Sequence, residues 1–538
     1  MTDQRELIFT GIDFGTTFSA IGYVTRSMSG GLNTPKAIPY LGKNKIPTAV
    51  YFQSDISKPP YVGTEAIIRF QEDADKRDQK AFERLFSNFK RELLNTSPIR
   101  RLGDGRAPTS SELAVFTFER LREIAEGNLG VLENPVICHP VGTAWDREIR
   151  RIAKASGFDK FSTVTEPLAA LYYAHYLHPI FDDRPQTVLL IDFGGGTCDV
   201  FLMKVTITFQ DGRFQIGPDQ IDQAQLTYKL SSGEESSYGG MDVDKLIANY
   251  LKAKWRDKYP TLATEFEKLD DAEYQWDFLR EAQKAKEYLS TLITTKSTDS
   301  SYHVRIRNLP GNTELDYELN ADEFTGIVRP DIQAKFTDFF SNPESGFFRR
   351  NKTTGQKIDR VILAGGSSNL PWLSEILSTI CPRAKMKGQV YQLLEPEMSV
   401  AYGAAVYNYY LQVGKLPIPI YLEDTLKISV GGRLYPLARK NTRLPYRSSQ
   451  FRANHYFRTV EVSDTITVRL YKGEGQSESD CHPLGEEREI NFGEKLKVGT
   501  LLTFQVQVDL LGNVELTIFP YRQPQKARKC IFEPLNVR

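Results

Sequence analysis

One pattern occurs twice in this chain and limits its fold more than any other: an apolar strand ending in Asp, a Gly-rich turn carrying Thr, and a second apolar strand. The first copy is "FTGIDFGTTFSAIGYV" (Phe9–Val24) and the second is "LLIDFGGGTCDVFLMKV" (Leu189–Val205). A hairpin of this kind aims backbone N–H groups and Thr hydroxyls at an anion, and glycine lets the backbone approach without a Cβ in the way. The Asp at each strand end offers a carboxylate to a hydrated Mg2+ lying between phosphate groups. One such hairpin reads equally well as an ordinary tight turn. Two copies with Asp and Thr in the same order read as a clamp that closes on a triphosphate from both sides of a cleft. No "GxxxxGK(S/T)" precedes a helix, so this is not a Walker loop.

Strand and helix signals alternate from Leu7 to Val413, and the remainder is almost wholly β as far as Pro520. The expected strands include Leu7–Asp13, Ser19–Thr25, Thr48–Phe52, Thr187–Asp192 and Asp199–Thr208. The expected helices include Ala81–Leu94, Ser111–Glu126, Ala144–Ala155, Asp270–Leu292 and Glu397–Leu411. "GKLPIPIYLED" (Gly414–Asp424) holds Pro417 and Pro419, which forbid a continuing helix, and reads as an interdomain linker. After it, "LKISV", "TITVRLY", "TFQVQVDL" and "NVELTIF" alternate as strands of a small antiparallel domain. Two further elements accompany the hairpins. "IDRVILAGGSSNLPWLSEIL" (Ile358–Leu377) is a strand, Gly turn and helix whose bare backbone suits an adenine and ribose. "EPEMSVAYGAAVY" (Glu395–Tyr407) is a helix whose small residues suit close packing at a hinge.

With 538 residues, the chain exceeds what one core can organise, and two to four domains or lobes are expected. Its 68 basic and 68 acidic residues cancel, which removes the long-range field that would gather nucleic acid or an anionic membrane; neither is an expected partner. No apolar run approaches a bilayer span, and the polar start is unlike a signal peptide, so the cytoplasm is the expected compartment. Five scattered cysteines suggest neither a disulfide framework nor a zinc site. His175 and His178 have no other ligand types near them in sequence and are expected on a helix surface.

In this order, the two hairpins, the Gly turn and the hinge helix resemble the actin, sugar-kinase and heat-shock ATPase superfamily. "FKREL" (Phe89–Leu93), "VTEPLAALYYA" (Val164–Ala174) and "YGGMDVDKLIANYL" (Tyr238–Leu251) narrow the resemblance to the DnaK-type heat-shock protein 70 chaperones. "LKISVGGRLYPLARKNTRLP" (Leu426–Pro445), "TVRLYKGEG" (Thr467–Gly475) and "VQVDLLGNVELTIF" (Val508–Phe519) are similar to successive strands of that family's peptide-binding domain.

The resemblance implies an α/β fold: a two-lobed, actin-like (ribonuclease H-like) ATPase domain over 1–413, then a β-sandwich. Lobe I would span 1–185 and 395–413, and lobe II 186–394. The linker would be 414–424, the substrate-binding-like β domain 425–520, and 521–538 a tail too short for the family's helical lid. ATP or ADP with Mg2+, and K+ as an optional further ion, are the implied cofactors. Unfolded or extended polypeptides and co-chaperones are the implied partners.

The implied residue roles follow the matching motifs. Asp13 and Asp192 would hold Mg2+ through its waters, and Gly15, Thr16, Thr17, Gly194, Gly195, Gly196 and Thr197 would cradle the phosphates. Lys90 would stabilise charge on the γ-phosphate, while Glu166 and Asp199 would order the attacking water and ions; with Asp13 and Thr197 these form the implied catalytic set. Gly240, Lys286, Ser290, Gly365, Gly366, Ser367 and Glu397 would surround the nucleoside.

The residues admit plainer roles as well. Lys90 reads as a solvated lysine of a charged helix, Glu166 as a helix cap, Asp199 as a turn residue and Lys286 as part of an amphipathic face. The sequence also departs from the family. Glu287 stands where the family stacks an arginine on adenine, and Gln283 where a neighbouring acid is usual. The linker lacks the family's run of leucines. Val430 lies near a pocket-lining position of the β domain, and a core strand valine is its other reading.

The expected function is therefore slow ATP hydrolysis coupled to polypeptide binding in the β domain. A nucleotide-sensing scaffold, a small-molecule kinase and a filament-forming protein are the alternatives.

Overall fold

Each Asp-ended motif folds as an antiparallel hairpin, and each hairpin lies within its own sheet. The computed structural model of the protein describes residues 7–26, 32–55, 57–75, 78, 80–130, 132–177, 186–210, 213–229, 235–297, 301–386, 388–413, 422, 424–430, 432–448, 457–509, 512–521, 523–532 and 534–535. In the first sheet Ile8–Asp13 pairs with Phe18–Thr25, setting Asp13 opposite Ala20, and lies parallel to Val136–His139. In the second, Gln186–Phe193 pairs with Cys198–Gln210, setting Asp192 opposite Asp199. On its other side it runs parallel to Arg360–Ala364, which is parallel in turn to Val390–Gln392. Leu189, Leu190 and Ile191 are fully buried in succession, as expected for a strand covered on both faces.

Helices fix the two hairpins through separate cores. Ser110–Leu129 and Thr143–Ala155 pack Leu113, Phe118, Leu121, Ile149 and Ile152 with Ile12 and Phe14 of the first hairpin. Gly240–Lys258, Ala272–Thr295 and Ala321–Ser341 pack Ile247, Leu251, Leu289, Phe324 and Ile332 with Leu189, Ile191 and Phe193 of the second. The long helices start where capping chemistry permits. Thr109 and Glu112 form a reciprocal capping box at one start, and Asn320 and Glu323 form another.

Glu166–Leu177 and Ser399–Val413 are buried along most of their length. The small residues of the second of these helices let it press against neighbouring backbone. A Cβ on Gly403 would lie 1.8 Å from the Ala169 carbonyl oxygen, and one on Gly11 would lie 2.4 Å from that of Ala401. Tyr172 and Tyr407 meet edge to face at 5.1 Å.

The expected helix Ala81–Leu94 is not continuous. It comprises a short helix Lys80–Arg84, a strand Leu85–Ser87 paired with Ala49–Tyr51, and a 3-10 turn Phe89–Glu92. The helix ends at Arg84, and beyond the strand Asn88 breaks any continuation at φ 58°, a left-handed conformation that no helix interior accepts. This break turns Lys90 inward, leaving it 6% exposed. It is not a solvated lysine.

By contact density the chain divides into two compact units. The first comprises residues 1–161, 165–207 and 218–409; the second comprises 410–538 with 162–164 and 208–217. The linker expectation falls largely on 414–421 and 423, which lie outside the described residues, as does His178.

Two antiparallel sheets make up the described part of 422–535. One centres on Leu426–Val430 and Ser463–Lys472, the other on Leu501–Val508 and Val514–Pro520. Leu502, Phe504, Val506 and Val508 are buried, as are Val514, Leu516 and Ile518, with the alternation of strands covered on one face. Tyr435 of the first sheet meets Phe457 of the second at 5.1 Å, and Phe457 meets Phe504 at 5.0 Å. Val430 is half-buried at the end of its strand. Within the expected tail, Arg528–Phe532 is a strand that the sequence reading did not include, antiparallel to Val514–Ile518. Its Arg-Lys-Cys-Ile-Phe run is short, and only Phe532 of it is buried, which hides it from a reading based on alternation.

Candidate functional site

The two Gly-rich turns face one another in contact. A Cβ on Gly195 would lie 2.4 Å from Thr17 Oγ1, and one on Gly196 would lie 2.6 Å from Thr16 Cγ2. Only glycine lets two backbones meet a threonine so closely. Thr48 straps the first turn: its N–H donates to the Thr17 carbonyl at 2.9 Å and its hydroxyl to the Gly15 carbonyl at 2.8 Å. The second turn is held from behind. Gly240 N–H and Ser367 Oγ both donate to the Gly194 carbonyl, at 3.0 and 2.8 Å, and Met241 N–H donates to that of Gly195 at 2.8 Å. The Arg91 guanidinium donates to the Gly196 carbonyl, tying the segment after Asn88 to the opposite turn.

Between the turns lies a cavity of about 500 Å³, in the size range of small-ligand sites. Asp13, Gly15, Thr16, Thr17, Lys90, Glu166, Asp192, Gly194, Gly195, Gly196 and Thr197 line one end of it; Lys286, Ser290, Gly365, Gly366, Ser367 and Glu397 also line it. Two residues singled out from the sequence stand outside the lining. Asp199 lies behind Thr197, whose side chain it accepts from, and Gly240 offers its carbonyl to Lys286 Nζ at 2.9 Å.

The electrostatics of one end are strongly acidic. Lys90 Nζ donates to Glu166 Oε1 at 2.6 Å, with side-chain exposures of 7% and 13%. Burial works against the Lys90 charge, yet Glu166 and then Asp13 hold its pKa above the ordinary lysine value. Burial first, and Glu166 second, lift Asp13 to about 7 and Asp199 to about 6. Asp192 is pushed well above the ordinary carboxylate range by burial, Glu166 and Asp199. Four carboxylates thus share one lysine, a surplus of negative charge that a divalent cation would relieve. Among the described residues, no three His, Cys, Asp or Glu side chains group as a direct ligand set. Asp13 and Asp192 on facing strands suit an ion held through its own water shell.

The other end is a helix face. Gln283, Lys286, Glu287, Ser290, Thr291, Thr294 and Thr295 line the cavity from Ala272–Thr295, at the spacing of one helical side. Lys286 pairs with Asp244 at 2.7 Å, and Gln283 donates to Glu287 at 3.0 Å. Ser290 Oγ is buried on this wall without a hydrogen-bond partner, an orphan that a bound ligand would satisfy. Gly365 does more than leave a flat surface. At φ 80° its missing Cβ makes room for Asp192 Oδ1, which a Cβ would approach to 2.4 Å.

Sequence reasoning missed Thr48, Arg91 and Asp244. Arg91 and Asp244 fall inside segments already singled out, "FKREL" and "YGGMDVDKLIANYL"; Thr48 had no motif of its own and acts through backbone geometry. All five cysteines are free, and no helix among the described residues is long and apolar enough to cross a membrane.

Two sheets each present an Asp-ended hairpin to a common acid-lined cavity in a mixed α/β protein. The family model described as Hsp70 protein matches residues 9–491, and the chain belongs to this family. Its mixed α/β fold is consistent with an Hsp70 ATPase fold. It is similar to the chaperone protein DnaK of Ureaplasma parvum serovar 3, with 25% identity over 89% of this chain and 70% of that protein. It is also similar to the DnaK proteins of Ureaplasma urealyticum serovar 10 (25% identity) and Mycoplasmopsis pulmonis (24%), each over 89% of this chain and 71% of theirs.

Proposed function

We propose that the protein is an ATP-hydrolysing chaperone of the Hsp70 kind, in which Mg–ATP occupies the cavity and its hydrolysis sets how tightly the C-terminal β unit, as a β-sandwich, holds an extended polypeptide. The observation that carries this reading is the pair of turns in contact across a cavity that also holds the buried Lys90–Glu166 pair. Family membership supports it.

Phosphoryl transfer to water depends on positioning and charge stabilisation more than on covalent chemistry. The turn residues Gly15–Thr17 and Gly194–Thr197 would hold the phosphate oxygens through backbone N–H groups and Thr hydroxyls. Asp13 and Asp192 would hold the waters of Mg2+, which when bound neutralises charge on the β and γ oxygens. Glu166 keeps Lys90 charged and aimed into the cavity, where it would take up charge on the terminal phosphate. Glu166 would order the attacking water, and Asp199, enclosed behind Thr197, would act on it through the Thr197 hydroxyl that it accepts from. Ser290, Lys286, Gly365, Gly366, Ser367, Gly240 and Glu397 would enclose the nucleoside. ATP can shift polypeptide affinity only by binding the two states of the protein unequally. The cytoplasm is the compartment this reading assigns.

Steady-state ATP hydrolysis with Mg2+, with and without an unfolded polypeptide and beside Asp192→Asn, tests it. Slow turnover that rises with polypeptide and vanishes in the variant is expected. Turnover that needs a small-molecule acceptor would make the protein a kinase, and ATP binding without turnover would make it a nucleotide-sensing scaffold.

A further inference from the structure

Three lysines line the cavity, and their surroundings differ. Lys90 is paired with Glu166 and Lys286 with Asp244, so neither brings net positive charge to a ligand. Lys45 has no acidic partner among the described residues; its ammonium lies over the Phe18 ring, 5.0 Å from the centroid. Phe18 immediately follows Thr17, and Lys45–Pro47 is a strand bonded to the same hairpin, with Phe18 opposite Pro47 and Ala20 opposite Lys45. The next residue, Thr48, is the one that straps the first turn. Lys45 is therefore fixed by backbone pairing beside the first turn and directed by the ring, with no carboxylate paired to it among the described residues.

We propose that Lys45 is a further phosphate-contacting residue, which takes the terminal phosphate of a nucleoside triphosphate from the first hairpin's side and so separates triphosphate from diphosphate. This rests on the nucleotide reading of the site above. A triphosphate carries more charge than Lys90, already shared among four carboxylates, can balance alone. An unpaired ammonium at the rim supplies the balance without the cost of breaking an existing ion pair. Its half-exposed position also lets it follow a phosphate that departs.

The test is equilibrium binding of ADP and of the non-hydrolysed analogue adenylyl imidodiphosphate, both with Mg2+, to the full chain and to Lys45→Met and Lys45→Arg. The expected result is about a tenfold loss of triphosphate affinity in Lys45→Met, a change under about twofold for ADP, and recovery in Lys45→Arg. The triphosphate loss is also expected to shrink at high salt, since the contact is partly exposed. Equal losses for both nucleotides would show that Lys45 only props the hairpin through Phe18, and no loss for either would show that it stays in solvent; both results overturn the proposal. Unfolding temperatures of the nucleotide-free variants separate a folding defect from a binding defect. Wild-type protein that binds neither nucleotide overturns the nucleotide reading and this proposal with it. Wild-type binding with an unchanged preference in Lys45→Met overturns this proposal alone.

Discussion

The two ends of the cavity are built by opposite means. At the turn end nearly every group is held twice: by backbone pairing within a hairpin, and by a contact from a distant element such as Thr48, Ser367 or Arg91. At the helix end, side chains project from one face of Ala272–Thr295, where Glu287 and Thr291 are exposed and Gln283 is half-buried. The difference teaches which part of a ligand the protein reads strictly. On the proposed reading, backbone geometry and enclosed charge would recognise phosphate and tolerate little change, whereas one amide, one lysine, one carboxylate and a row of hydroxyls would recognise a base loosely. Substitutions at the turn end should therefore be costly and those at the helix end mild.

The largest effect is expected from Lys90→Ala, which leaves Glu166 without its partner among three other carboxylates. Hydrolysis should fall at least about a hundredfold, and chemical denaturation of the nucleotide-free protein should show a loss of about 3 kcal/mol. A variant as stable and as active as the wild type would break the distinction between the ends. Next comes Gly196→Val, whose Cβ would be driven into Thr16. Titration calorimetry should find Mg–ATP binding weakened by more than about tenfold, since the turns can no longer meet.

A third expectation concerns pH. Asp13 and Asp199 have folded-state pKa values of about 7 and about 6, raised from the ordinary value of 3.8 by burial and then by Glu166. A carboxyl with a raised folded-state pKa contributes stability that is fully present below its unfolded pKa and lost as pH rises through the folded value. The Mg2+-free, nucleotide-free protein should thus unfold at progressively lower temperature between about pH 4 and pH 7. Asp199→Asn should flatten the part of that slope below about pH 6. A rising stability over that window would contradict the crowding of acids at the turn end. The smallest effect is expected at the other end. Glu287→Arg should tighten ADP binding only about threefold, by fluorescence titration, through stacking of a guanidinium on the base.

The same contrast explains what could be read from the sequence. Asp13, Asp192 and the turn glycines were legible because hairpin geometry is local, and a strand, an Asp and a Gly turn announce it within a few residues. The buried run Leu189–Ile191 follows from the same apolar patterning. Lys90 was identified by resemblance, but its burial was not legible: Asn88 in a left-handed conformation interrupts what composition presents as one charged helix. Thr48 and the Lys45 position depend on strand pairing between segments far apart in the chain, which no local pattern encodes. Strand Arg528–Phe532 stayed hidden because its side chains alternate in burial while its residue types, Arg-Lys-Cys-Ile-Phe, do not alternate apolar with polar. Asp244 could have been found by asking which acid would accompany Lys286 on the neighbouring helix.

The central claim, that paired turns and enclosed carboxylates hold a metal-bound triphosphate, is tested most directly by calorimetric titration of ATP into the protein with Mg2+ and with the metal chelated, beside Asp192→Asn. Binding that weakens at least about tenfold on chelation, and that is weak in Asp192→Asn whether or not Mg2+ is present, is the expected result. ATP binding of equal strength in all four conditions would contradict it.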